Sequence, residues 1–459
     1  MAGDRIEEQE EILGYHLERA HRLHADLGPI DDATKGLGLR AAAHLGASGR
    51  RASERGDVAA AANLFQRATD LLPVGSAERP QLLYELGGAM IQVGDVRLSF
   101  SASEQASTEA AAAGQKSLHW LARIQRTGAH ALMEPHAVST EDVRAELDEA
   151  IRVFEGLGDE AGLANAWLGL CDLEWMPCRF EDAELAAERA AEHARRAGDR
   201  RLLERALVRR SAAQYFDATP PGEMLEAVGT AVEEIGGTTG FRFLATAARG
   251  LCLAWRDDLD GARRLLDEAD AIAEALGSSE MLMSSLECRG DVEFLADIAA
   301  AERAFREYYR LTDELGDEGH KSTAAGHLAR ALAHLGRFDE AESYARIAIE
   351  AAAEDDLASQ VLGRAAQARV LSAQGRHDEA ISLAREAMEM FADAQMSSSQ
   401  GDVCMELAEV LRAAGRPAEA AEAARSGLGH YERKRSVPST KAARAFLASL
   451  GGETRPSRT

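Results

Sequence analysis

Gly336-Arg337-Phe338-Asp339-Glu340-Ala341, Gly375-Arg376-His377-Asp378-Glu379-Ala380 and Gly415-Arg416-Pro417-Ala418-Glu419-Ala420 are three copies of one phrase. Their closing alanines lie 39 and 40 residues apart. A fixed period of that size marks a stacked array in which each unit buries its apolar face against its neighbours. Around the phrases, apolar residues recur at helical spacing, and no stretch sustains the alternation of a strand. Gly followed by Asp punctuates the pattern at Gly56-Asp57, Gly94-Asp95, Gly158-Asp159, Gly198-Asp199 and Gly316-Asp317. Glycine suits the left-handed residue that ends a helix, and aspartate suits the cap that opens the next. The expected structure is all-α, with about twenty helices of about 14–20 residues joined by short turns.

The bulk numbers fit such an array. Of 459 residues, 46% are hydrophobic but only 5% are aromatic, and alanine is abundant. Small side chains allow stacked hairpins to approach closely. The formal net charge of -25 argues against free nucleic acid as a partner, because binding it draws on clustered Lys and Arg. The short run Arg433-Lys434-Arg435 is too small to reverse this and instead suits a helix C-terminus. Five cysteines, Cys171, Cys178, Cys252, Cys288 and Cys404, are widely spaced and odd in number, with no CxxC pair. That is a reduced, intracellular pattern. No apolar leader segment and no run of about 18 apolar residues is read, so the expected location is cytoplasmic, away from membranes.

Searches for chemistry end without a site. Gly114-Gln115-Lys116-Ser117 and Gly319-His320-Lys321-Ser322 lack the upstream glycine and the preceding strand of a phosphate-binding loop. His320, His327 and His334 recur every seven residues, about 10.5 Å apart on a helix, too far for neighbours to share a metal ion. They read as solvated or groove-facing. Cys171 and Cys178 are likewise spaced two helical turns apart and read as buried thiols. Glu302, Glu307 and Asp313 read as a solvated helix face, and no Gly-x-Ser-x-Gly elbow occurs. The expectation is a protein with no catalytic, cofactor or metal site.

The repeat resembles the tetratricopeptide repeat. Its marks are a small residue inside the first helix, Gly at the turn, then Ala, a bulky residue four later and Ala three after that. Gly49, Gly56, Val58, Ala61, Phe65, Ala68 and Pro73 match near one end, and Ala329, Gly336, Phe338, Ala341, Ala345 and Ala348 near the other. Between them, anchors fall at Ser99, Ala183, Ala262 and Ala301, with another near Glu223. The resemblance implies a right-handed α-solenoid of about ten hairpins. The copies are longer than the commonest form and are similar to the extended repeats of bacterial signal-transduction ATPases. Glu11–Ala20, Gly49–Asp57 and Tyr431–Lys434 also resemble segments of actinobacterial proteins that join a nucleotide cyclase, an ATPase and such repeats. This chain has neither enzyme module. The organisation expected is a helical segment over residues 1–35, the array over 36–435, and a helix with a disordered tail over 436–459.

In a tetratricopeptide array the first helix of each hairpin lines the concave face. Alignment on the alanine anchors brings Met176, Phe216, Trp255, Phe294 and His334 to equivalent places just before the turn, separated by 40, 39, 39 and 40 residues. Trp175 and Tyr215 stand one residue earlier. Ala373 and Ala413 hold the following places, and Gln92 and Glu54 hold upstream ones, so bulky residues are confined to the middle of the array. Aromatics on a groove make strong anchors. The same residues read as inter-hairpin packing if the alignment slips by two; Trp120 and Trp167 are assigned to packing. The function implied is a non-catalytic scaffold that binds a protein or peptide, as a regulatory or sensor arm in bacterial signalling. The resemblance admits an ATPase or cyclase acting in trans as the partner. A small-molecule sensor and a remnant of a larger protein stand as alternatives.

Overall fold

The computed structural model describes residues 2–55, 57–133, 139–236, 239–315, 317–353 and 355–453. The expectations placed on Gly56, Gly316, the side chain of Glu54 and the tail over 454–459 lie outside the described residues. The chain divides into two units, residues 1–169 and 170–459.

The first unit holds α1 (Ala2–Leu27), α2 (Asp32–Glu54), α3 (Val58–Asp70), α4 (Arg79–Gln92), α5 (Val96–Ala112), α6 (Lys116–Met133), α7 (Thr140–Leu157) and most of α8 (Glu160–Leu173). The second begins at the end of α8. It continues through α9 (Phe180–Ala197), α10 (Arg200–Phe216), α11 (Pro221–Ile235), α12 (Thr239–Trp255), α13 (Leu259–Leu276), α14 (Ser279–Phe294) and α15 (Ile298–Leu315). It closes with α16 (Glu318–His334), α17 (Phe338–Ala351), α18 (Leu357–Ala373), α19 (His377–Met390), α20 (Ser397–Ala413), α21 (Pro417–Lys434) and α22 (Val437–Glu453). The repeat phrase bridges α16 to α17, α18 to α19 and α20 to α21. The hairpins therefore run α2–α3, α4–α5 and α6–α7 in the first unit and α10–α11 to α20–α21 in the second, with α1 and α22 as additional helices.

Local chemistry explains the punctuation. Gly94, Gly158 and Gly198 have φ of +85°, +66° and +67°, and Gly336, Gly375 and Gly415 take the same left-handed conformation. Asp57, Asp95, Asp199 and Asp317 each accept a backbone N–H of the helix they open. The repeat anchors are the most buried points of the second helices: Ala61, Ser99, Ala183, Ala262, Ala301, Ala341, Ala380 and Ala420 are all 0% exposed. The anchor expected near Glu223 falls on its neighbour Met224. Glu223 is exposed and Met224 is buried in its place. The extended stretch before Pro221 delays the helix start by one residue.

Within the second unit, α10 packs on α12, α12 on α14, α16 on α18 and α18 on α20. These even-numbered first helices form the closely spaced inner layer of the stack, and the alanine-anchored helices lie outside it. In the first unit α4 packs on α6 in the same way. Packing is distributed: Leu45, Phe65 and Leu86 centre one cluster in the first unit, while Phe305, Leu328 and Leu332, and then Leu407, Leu411 and Ala424, centre others in the second. Trp120 packs with Ala150, Phe154 and Leu163, and Trp167 is half-buried.

Other expectations change. Cys171 and Cys178 do not share a helix, because α8 ends at Leu173 and Cys178 stands in the turn with φ +56°. Glu302 is not on a solvated face: it is buried and pairs with Arg306 at 2.6 Å and Arg337 at 3.1 Å. Glu307 does stay exposed and Asp313 pairs with Lys321 at 2.8 Å. No described helix is long and apolar enough to cross a membrane.

Candidate binding surface on the inner helices

Tyr215 and Phe216 end α10, Trp255 ends α12, Phe294 ends α14 and His334 ends α16. Because these helices pack side by side, their last turns bring the residues to one edge of the inner layer. Trp175 and Met176 follow α8 in a turn closed by Cys178. Two residues after Trp255, Asp257 takes the left-handed conformation, as Gly336 does after His334 and Cys178 after Met176. Met176, Trp255 and His334 thus keep a common place relative to the turn.

The rings form two groups. Trp175 meets Phe180 edge-on at 4.9 Å and Phe216 at 5.9 Å; Phe216 meets Tyr215 at 4.4 Å, and Tyr215 stacks on Trp255 at 5.6 Å. Separately, Phe294 meets His334 edge-on at 5.0 Å. Tyr215 links the two by donating its hydroxyl to Asp291, on the last turn of α14. Met176 belongs to neither ring group and is 42% exposed. Trp175, Tyr215, Phe216, Phe294 and His334 are half-buried, whereas Trp255 is buried.

Cations of the same unit cover part of this run. Arg209 lies over Trp175 at 5.4 Å, Arg330 over Phe294 at 4.0 Å and Lys434 over Trp255 at 4.5 Å. Lys434 arrives from the end of α21. The charged run that suited a helix C-terminus does reach one, but it belongs to a helix more than 200 residues earlier: Lys434 Nζ donates to the carbonyls of Gln214 and Tyr215 at 2.8 Å and of Asp217 at 2.9 Å. These are two carbonyls of the last turn of α10 and that of its C-cap residue, where the helix dipole favours a cation.

Beyond the rings lies a charged network. His327 stands between Glu287 at 3.6 Å and Asp291 at 3.8 Å, with its ring stacked on Phe305. Arg330 pairs with Asp402 at 2.8 Å, and Tyr431 donates to the same carboxylate at 2.6 Å. Glu406 receives His334 at 2.5 Å and Arg369 at 2.8 Å. Burial pushes the Asp291 carboxyl above its ordinary range, with His327 opposing. Burial pushes Glu406 the same way, but Arg369, His334 and Arg330 outweigh it and hold this carboxyl well below the ordinary range. Burial raises the Tyr215 phenol, and the neighbouring Asp291 adds to it, so Tyr215 is a neutral donor.

Of the spaced histidines, His320 is exposed beside Asp317, while His327 and His334 face the network through different carboxylates. Among the described residues no group of three His, Cys, Asp or Glu side chains could hold a metal ion. Arg330, Asp402 and Glu406 escaped the sequence reading, and Lys434 was read only as part of a basic run at a helix end. The one available signal was that Arg330 precedes His334 by four residues and so shares its helix face.

No protein-family model and no curated protein sequence matches the chain. Solved structures do match. A Rap protein complexed with competence and sporulation factor is similar with a TM-score of 0.57 at 14% identity, over 82% of this chain and 98% of that one. A Rap conjugation gene regulator of the plasmid pLS20, in complex with the Phr* peptide, is similar with a TM-score of 0.50 at 14% identity, over 83% and 98%. The fold is a solenoid of tetratricopeptide-type hairpins. The aromatic run stands at the turn ends of the first helices of these hairpins.

Proposed function

We propose that the second unit of this solenoid is a non-catalytic scaffold that takes up a peptide, free or as a segment of a protein, on its inner face. The observation that carries the reading is the continuous run Trp175–Phe216–Tyr215–Trp255, partly open to solvent and bordered by Met176. Half-buried aromatics offer large contact area at small entropic cost. Two similar structures were solved with competence and sporulation factor and with a peptide, which supports the same use of this fold. The rings touch each other rather than surrounding a compact cavity, which favours a peptide over a small molecule. The role that follows is a regulatory or sensor arm in bacterial signalling, with an ATPase or cyclase in trans as the class of enzyme controlled.

The test is a random-peptide selection on the full chain, followed by affinity measurement on Trp175→Ala/Phe216→Ala. These two are chosen because both are half-buried and the cation over Trp175, Arg209 at 5.4 Å, stands farther off than Lys434 over the buried Trp255 at 4.5 Å or Arg330 over Phe294 at 4.0 Å. A loss of about tenfold or more, with unchanged thermal melting, is expected of a true anchor. Unchanged affinity removes the run as the site. A selection that enriches no peptide removes the peptide reading itself.

A further inference from the structure

Lys434 is 0% exposed, yet no carboxylate lies within ion-pairing distance of its ammonium among the described residues. Its three donors meet three backbone carbonyls, and the face of Trp255 lies 4.5 Å from Nζ. This is a complete shell for a primary ammonium: three acceptors for three protons, and a ring quadrupole for the charge. A quaternary ammonium could not use the carbonyls, and an alcohol would bring one proton for three of them. Asp217, itself 1% exposed, and Glu184 stand behind the shell and add negative potential at longer range.

The arrangement is an expensive way to fill space. Desolvation pulls the Lys434 ammonium down to about 8, and an apolar side chain of similar volume would avoid that penalty. What the lysine provides instead is a specific, reversible join between distant parts of the unit. Lys441 of α22 pairs with Asp257 beside the same site, and α22 packs on α12. The C-terminal end of the array is thereby held against the end of α10, over the buried end of the aromatic run.

We propose that the carbonyl end of α10 and the face of Trp255 form a binding site for a primary alkylammonium, that Lys434 fills it from within, and that a lysine of the partner peptide enters it by exchange. The exchange rests on the peptide reading above, whereas the site and its internal occupant do not.

The test begins with full-length Lys434→Ala, melted in the presence of n-butylammonium, tetramethylammonium or n-butanol. The variant is expected to melt lower than the wild type. Butylammonium should recover most of the loss in a saturable way, and the other two should recover little. Equal recovery by butanol, or none by any additive, overturns the ammonium site. If Lys434→Ala does not fold alone, refolding yield with each additive supplies the same readout. Lys434→Met fills the space without charge, and should fold and not respond to butylammonium; a response there places the amine elsewhere and also overturns the site. For the exchange, peptides from the selection are compared with versions in which each lysine is norleucine. A several-fold tighter grip of Lys434→Ala than of wild type on the lysine form alone is expected. No such preference overturns the exchange and leaves the amine result standing.

Discussion

The side-chain oxygen of Gln395 accepts the backbone N–H of Glu181 at 2.9 Å, across 214 residues of chain. It also accepts from Asp182 at 3.2 Å, while the Gln395 backbone N–H donates to the Cys178 carbonyl at 2.8 Å. The helix so capped, α9, has arginine at its own N-cap, whose side chain accepts nothing. A distant glutamine thus supplies the acceptor that a local Ser or Asp ordinarily would. Gln395→Leu is expected to lower stability by about 1–2 kcal/mol, read as a shift of the urea midpoint. An unchanged midpoint would mean that water caps α9 equally well.

Glu406 is the common acceptor of His334 and Arg369 and lies 3.8 Å from Arg330. Glu406→Gln leaves the half-buried Arg369 without its counter-charge, an effect of about 1–3 kcal/mol. The pH dependence has a definite sign. A carboxyl held below its unfolded value stabilises the fold above that value, and the contribution is lost as pH falls through the folded one. Wild-type stability should therefore decline below the ordinary glutamate pKa of 4.5 more steeply than that of Glu406→Gln. Urea midpoints between neutral and acid pH measure this; parallel curves would contradict it.

Much of the fold was legible because a hairpin is a local object. The phrase Gly-x-x-x-x-Ala marks both its turn and its anchor, and Ala341, Ala380 and Ala420 are fully buried as that pattern requires. Where the turn glycine is replaced, by Cys178 or Asp257, the backbone keeps the left-handed residue but the phrase vanishes from the sequence. At Pro220-Pro221 an extended stretch moves the anchor from Glu223 to Met224. The joins Gln395–Glu181 and Lys434–Gln214 leave no periodic trace, since each links segments over 200 residues apart through one side chain. Glu302 misled for the related reason that its partner Arg337 lies beyond its own helix.

Among the described glycines, Gly290 makes the tightest approach to a side chain of its paired helix, at Phe305. A Cβ built on Gly290 would stand 2.1 Å from a Phe305 ring carbon, whereas one on Gly229, also mid-helix, meets nothing within 4 Å. Gly290→Ala should therefore destabilise by about 1–3 kcal/mol through overpacking. Gly229→Ala should stabilise by up to about 1 kcal/mol through helix propensity alone. Thermal melts of the two variants should move in opposite directions. A stabilised Gly290→Ala would show that the Phe305 ring has room to move.

His430 titrates in the opposite sense to a histidine with an acidic partner. Burial, with Arg433 adding in the same direction through a guanidinium that contacts Nδ1 at 2.6 Å, lowers it to about 4. The unfolded chain binds this proton near pH 6.5 and the folded chain resists it until about 4. Stability contributed by the neutral ring is thus complete above 6.5 and is lost as pH falls towards 4. The ring is only half-buried, so solvent screening reduces the effect to about 1 kcal/mol. His430→Gln keeps an acceptor for Arg433 but cannot titrate. Its urea midpoint should stay level between pH 6.5 and 5 relative to wild type, which should fall. Equal slopes in the two proteins would mean that protonated His430 is accommodated by a rearranged Arg433.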